Sequence, residues 1–134
     1  MISRRSPFSK MCIRDSYSSV ATAHDLGAKV IIAPSISGFT TRLLSKWRPS
    51  TQIIGLSPSA SAVRQMQIYW GVKPYQAKRS ESTDRLIEDS LDLLKERGVI
   101  ADGDVAVVTA GVVTRANRHE PATHTNIMRV IVVD

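Results

Sequence analysis

The sequence predicts an α/β domain: a doubly wound, three-layer αβα sandwich around a five-stranded, mostly parallel sheet whose last strand is antiparallel. Three observations carry this expectation. Short β-branched runs recur along the chain, as in Val30-Ile31-Ile32-Ala33 and Val105-Ala106-Val107-Val108, and continuous apolar runs of this length suit strands buried on both faces. Segments of helical period separate the first four runs, which implies crossover units and a parallel sheet. The connection from Ala110 to Thr125 carries no helical pattern. It therefore returns the chain directly and pairs the fifth strand antiparallel to the fourth.

Each element has its own signal. Ser18 to Leu26 places Val20, Ala23 and Leu26 on one helical face and stops at Gly27. Lys29 to Ala33 is the first strand, and Gly38 to Trp47 a second helix closed before Pro49. Gln52 to Leu56 is the second strand. Ser57-Pro58 then offers a capping hydroxyl and a first-turn proline to a third helix, with Ala62, Val63, Met66 and Tyr69 as its stripe and Gly71 as its end. Val72 to Ala77, which contains Pro74, suits a sheet edge. The cluster Ser80 to Asp84 caps a fourth helix with Leu86, Ile87, Leu91 and Leu94 on its apolar side and Gly98 at its end. Gly103-Asp104 turns into the fourth strand, Val105 to Thr109, and Ile127 to Val133 is the fifth.

Composition narrows the function classes. With 134 residues, 43% hydrophobic and 22% charged, the chain is one globular domain. No apolar run approaches the roughly 18 residues of a membrane span. A single cysteine, Cys12, excludes an internal disulfide framework and fits a reducing, cytoplasmic setting. The net charge of +6 is not a nucleic-acid footprint: Arg4, Arg5, Lys10 and Arg14 against Asp15 supply half of it, and the rest is dispersed. Aromatic content is 5%, with no basic cluster interleaved by aromatics. Residues 1–16 show neither period, so they are expected to be an unstructured leader, a transit-type segment or sequence foreign to the domain, which then occupies 17–134.

The segment Ser35, Ile36, Ser37, Gly38, Phe39, Thr40 and Thr41 follows the first strand and opens a helix. In open α/β sheets ligands bind at strand C-terminal ends. Unpaired first-turn N–H groups and the helix dipole favour an anion there. Hydroxyls of Ser35, Ser37, Thr40 and Thr41 add donors, and Gly38 permits close backbone approach. The alternative reading is that Ser37 only caps the helix.

The order of motifs also resembles a known family. Ser35-Ile-Ser-Gly-Phe-Thr-Thr-Arg42 followed by Lys46-Trp-Arg-Pro49, then Tyr69-Trp-Gly-Val-Lys-Pro74, Gly103-Asp104 and Thr125-Asn-Ile-Met-Arg-Val130, is similar to the C-terminal domain of pyruvate kinases, over Tyr17 to Asp134. The resemblance implies a regulatory and oligomerisation domain of a glycolytic enzyme. There, a barrel absent from this sequence transfers phosphoryl from phosphoenolpyruvate to ADP with Mg²⁺ and K⁺. It implies no cofactor, metal or catalytic residue in this chain, and no turnover by it alone. It further implies a tetramer in the full enzyme and a phosphorylated metabolite as effector, a sugar phosphate or nucleotide monophosphate, bound at Ser35 to Thr40. The loop carrying Arg115, Arg118 and His119, with His124 and Glu120, would close over it. That loop departs from the family's short glycine-rich form. The arginine of bisphosphate-binding members falls at Leu86, one residue from Arg85, and that offset turns a helical side chain by about 100°.

Other conspicuous residues have plainer readings. Trp47, Tyr69 and Trp70 read as packing and interface residues. His24, His119 and His124 lack metal-ligand spacing, and Ser37 lacks a His and Asp to activate it. The rival reading is a free-standing phosphate-binding α/β domain, since fold does not fix function.

Overall fold

A computed structural model describes residues 7–35, 38–79, 82–110 and 127–134. Nine elements follow one another there: α1 (Pro7–Leu26), β1 (Val30–Pro34), α2 (Phe39–Lys46), β2 (Gln52–Ser57), α3 (Ala60–Met66), β3 (Val72–Gln76), α4 (Thr83–Glu96), β4 (Val105–Ala110) and β5 (Ile127–Val132). The strands form one sheet in the order β3-β2-β1-β4-β5. β1 pairs parallel with β2 and β4, β2 pairs parallel with β3, and β4 pairs antiparallel with β5. The doubly wound mixed sheet is thus as the sequence predicts.

Alternation along the β-branched runs explains the three layers. Val30 and Ile32 of β1, Ile54 and Leu56 of β2, and Ala106 and Val108 of β4 form one buried cluster with Ile87 and Leu94 of α4. Their sequence neighbours Ile31, Ala33, Ile53 and Val107 form a second with Val20 and Ala23 of α1 and Leu44 of α2. Successive side chains point to opposite faces, so three central strands feed two cores at once. The handedness of crossovers puts α2 and α3 on one face, while α4, which carries the chain back across the sheet, lies on the other.

Two local expectations need correction. The first helix starts at Pro7, not Ser18, so residues 7–16 are helical rather than an unstructured leader. Proline is favoured in a first helical turn. Ser16 is 1% exposed, and its Oγ accepts a hydrogen bond from Trp47 Nε1 at 3.0 Å. Serines fill buried positions of this helix, Ser19 among them, so no apolar stripe announces it. The third helix is capped by Ser59, not by Ser57 with Pro58, and ends at Met66, short of Tyr69. Ser59 is extended and its Oγ accepts from Ala62 N–H at 3.3 Å, whereas Ser57 Oγ accepts from Ser59 N–H. The hydroxyl whose residue reaches the extended cap geometry takes the first-turn donor.

Gly55 of β2 sets how closely the helices approach the sheet. A Cβ there would lie 2.6 Å from Met66 Sδ of α3 and 3.0 Å from Thr41 Cγ2 of α2. Met66 is fully buried. Its thioether occupies the space a side chain at 55 would need.

Candidate functional site

β1 and β4 are adjacent and parallel, yet their onward connections diverge: β1 leads to β2 on one side and β4 to β5 on the other. This is the topological switch point, and the crevice beyond the C-terminal ends of two such strands is where doubly wound sheets bind ligands. Pro34 and Ala110 mark those ends.

On the β1 side, Ser35 N–H donates to Leu56 O at 2.8 Å, which ties the turn to β2. Gly38 N–H donates to Ser35 Oγ at 3.0 Å. Gly38 occupies the cap position of α2 with φ 82° and, as a glycine, offers the helix no side-chain cap of its own. A β-carbon is disfavoured at this φ, and one placed there would sit 3.0 Å from Met66 Cγ. Gly38 is therefore required by backbone geometry and by Met66 beneath it, whatever approaches from outside. Thr41 Oγ1 donates back to Gly38 O at 2.6 Å and is fully buried, and Thr40 is 4% exposed. Two of the four expected hydroxyl groups, Ser35 and Thr41, thus brace the turn itself. Ile36 and Ser37 lie outside the described residues, as does the loop with Arg115, Arg118, His119, Glu120 and His124. Phe39 is half-buried at the first position of α2. Arg85 is exposed on α4 and Leu86 half-buried.

On the β4 side the structure adds a residue that sequence reasoning missed. Thr109 is fully buried, and its Oγ1 has no hydrogen-bond partner among the described residues. Being two residues beyond Val107, it faces the α1–α2 side of the sheet. Buried hydroxyls are nearly always paired, so an unpaired one at the switch point marks a position that a ligand or water oxygen would complete. Its only sequence signal is a polar residue closing a run of valines and alanine.

At the N-terminal ends of the strands, opposite the switch point, lies a separate cleft of about 590 Å³, lined in part by His24, Lys29, Ser50 and Asp104. There His24 Nε2 lies 3.2 Å from Ser50 Oγ. Among the described residues no group of three or more His, Cys, Asp or Glu side chains comes together, so those residues do not fit as a holder of Mg²⁺. No described helix is long and apolar enough to cross a membrane.

Fold and site together define a doubly wound α/β domain with a switch-point crevice flanked by a glycine-opened helix. Residues 16–131 match the family model of the pyruvate kinase alpha/beta domain, and the chain belongs to that family. It is 40% identical over 112 residues to a pyruvate kinase of Staphylococcus aureus strain USA300, covering 84% of this chain and 18% of the relative. With a pyruvate kinase of Lactobacillus delbrueckii subsp. bulgaricus it shares 41% over 95 residues, covering 71% and 16%. A crystal structure of a pyruvate kinase from Cryptosporidium parvum superposes with a TM-score of 0.79 at 31% identity, covering 92% of this chain and 23% of that one. The chain spans less than a fifth of the length of these curated relatives.

Proposed function

We propose that this domain is the regulatory and assembly part of a cytoplasmic pyruvate kinase, and that it binds a phosphorylated metabolite at Ser35 to Thr40. Phosphoryl transfer from phosphoenolpyruvate to ADP, with its Mg²⁺ and K⁺, belongs on this reading to polypeptide that the relatives carry beyond the matched segment. The observation that carries the effector reading is the switch point itself, where the glycine-opened start of α2 follows β1 and the buried Thr109 of the adjacent β4 has a hydroxyl with no hydrogen-bond partner among the described residues. Backbone N–H groups at a helix start bind phosphate without a lysine of their own. Arg115, Arg118 and His119, on the connection that follows β4, would supply the charge complement.

Titration calorimetry with fructose 1,6-bisphosphate, glucose 6-phosphate, ribose 5-phosphate and AMP tests this. At least one should bind. Ser37→Ala with Thr40→Ala, removing two charge-assisted bonds of roughly 1.5–3 kcal/mol each, should then weaken it about a hundredfold or more. Equal binding by the double variant, or no binding by the parent, refutes the reading. A coupled assay with phosphoenolpyruvate and ADP should show no turnover by the chain alone.

The assembly reading is supported by β5. Among the described residues it is paired on one side only, and Met128, Val130 and Val132 are 40%, 46% and 62% exposed. An unpaired edge with an apolar stripe is a template for another strand, and a second copy related by a twofold axis offers the same strand antiparallel. Val130→Lys should shift the sedimentation profile toward monomer.

A further inference from the structure

Met66, the last residue of α3, reaches into a slot between two glycines. Its Sδ lies 2.6 Å from where a Cβ of Gly55 would stand, and its Cγ lies 3.0 Å from the corresponding position of Gly38. Gly55 belongs to β2 and Gly38 opens α2, so one side chain joins a strand to the start of a neighbouring helix. The methionine is fully buried. Thr41 closes the slot, with Cγ2 3.0 Å from the Gly55 position and Oγ1 3.7 Å from that of Gly38. The same Oγ1 donates to Gly38 O, which also accepts from Arg42 N–H at 3.1 Å.

Gly38 needs such support. A glycine enters positive and negative φ with nearly equal ease, so nothing in its own covalent structure keeps it at 82°. The direction of the first-turn N–H groups of α2 follows from that angle. Ser35 Oγ accepts from the Gly38 N–H and Thr41 Oγ1 donates to its carbonyl, but both partners belong to the same turn and helix and would move with it. Met66 instead ties the turn to α3 and β2. The chain beyond Met66 is held in its own right: Tyr69 N–H donates to Met66 O at 3.2 Å, and Ser45 Oγ of α2 donates to Trp70 O at 2.7 Å.

Residue type matters here as much as place. Methionine is unbranched, and its soft thioether adapts to irregular gaps. Leucine has nearly the same volume, and cores tolerate such swaps, yet it branches at Cγ, the atom that faces Gly38. Stability and geometry are therefore separable at this one position. We infer that Met66 is a positioning residue of the candidate site: without touching the ligand, it sets affinity by holding Gly38 and the first turn of α2 in place. The inference rests on the reading of this turn as an effector site. A turn held in shape beforehand need not be ordered by its ligand, and binding groups work only when their support keeps them in register.

Four variants test this, each at a temperature well below its melting point: Met66→Leu, Met66→Ala, Gly55→Ala and the last two combined. Titration calorimetry with the sugar phosphate that binds the parent best gives the affinity, and two-dimensional amide NMR of the free chains reads the turn. Met66→Leu should keep the melting temperature within a few degrees and move the N–H signals of Gly38 and Thr41. It should also weaken binding about fivefold or more, the size of effect that residues in direct contact exert on one another. Gly55→Ala presses on Met66 Sδ, so it should weaken binding as well, but add no loss once residue 66 is alanine. Parent-like affinity in either Met66→Leu or Gly55→Ala overturns the inference. A Gly55→Ala loss that survives without Met66 overturns it too, because the strand would then act through Thr41. Should none of the sugar phosphates bind the parent, the effector reading falls by itself. The NMR arm still decides the positioning role: moved Gly38 and Thr41 signals in Met66→Leu uphold it, and unmoved ones overturn it.

Discussion

Met66 supports both the sheet approach of α3 and the turn that opens α2, and a double-mutant cycle measures that role. Gly55→Ala inserts a Cβ 2.6 Å from Met66 Sδ and 3.0 Å from Thr41 Cγ2, far inside ordinary contact. The methionine is fully buried, so its flexible end has little room to retreat. Overpacking of this size costs about 1–3 kcal/mol, or roughly 4–12 °C in melting temperature for a domain of this length. Met66→Ala leaves a cavity and costs about 2–5 kcal/mol. It also empties the space that the new Cβ enters. In the Met66→Ala background the Gly55→Ala penalty should therefore shrink to about 0.5 kcal/mol, the residue being the Thr41 contact, and the coupling should be at least about 1 kcal/mol. Urea unfolding of the four proteins, fitted with a common m-value, gives the number. A Gly55→Ala penalty that is the same with and without Met66 would refute the packing argument.

Further outcomes follow from other contacts. Ser16→Ala removes the partner of Trp47 Nε1 and should cost about 1 kcal/mol, read as a drop of a few degrees in melting temperature; deletion through residue 16 should cost more. Thr109→Val replaces an unpaired buried hydroxyl by an apolar group of the same shape, so the free chain should gain about 1–3 kcal/mol while affinity for the best sugar phosphate falls; a destabilised variant would show that the hydroxyl is already paired. Lys95 is bridged to Asp102 at 2.8 Å and also donates to Asp134 O. The hydrogen bond and charge of Asp102 raise its pKa above the ordinary lysine value, against a smaller opposing effect of desolvation. A raised folded-state value means that this contribution is complete below the ordinary lysine value and lost as pH rises through the folded one. Melting temperature should therefore decline in that alkaline window, and less steeply in Lys95→Met; equal slopes would contradict the contact.

What could be read from the sequence divides along physical lines. Strands buried on both faces announce themselves by β-branched runs, so β1, β2 and β4 and the topology were legible. The antiparallel return to β5 followed from the missing helical period between 110 and 125. The first ten residues of α1 were not legible: a helix that buries serines, Ser16 against Trp47 and Ser19 a turn further on, shows no apolar spacing there. The place of the candidate site was legible, because a glycine and hydroxyl cluster after a buried strand has a fixed meaning in a doubly wound sheet. Its internal wiring was not. Ser35 and Thr41 spend their hydroxyls on the turn, and Gly38 answers to Met66, twenty-eight residues away.

The effector site is tested most directly by two-dimensional amide NMR of the isotopically labelled chain during titration with the sugar phosphate that binds best. The N–H signals of Gly38 to Thr41 and of Thr109 and Ala110 should shift first and furthest, since they frame the crevice between β1 and β4. Shifts confined instead to His24, Lys29 and Ser50 to Gln52, at the N-terminal ends of the strands, would contradict the site and the effector reading built on it.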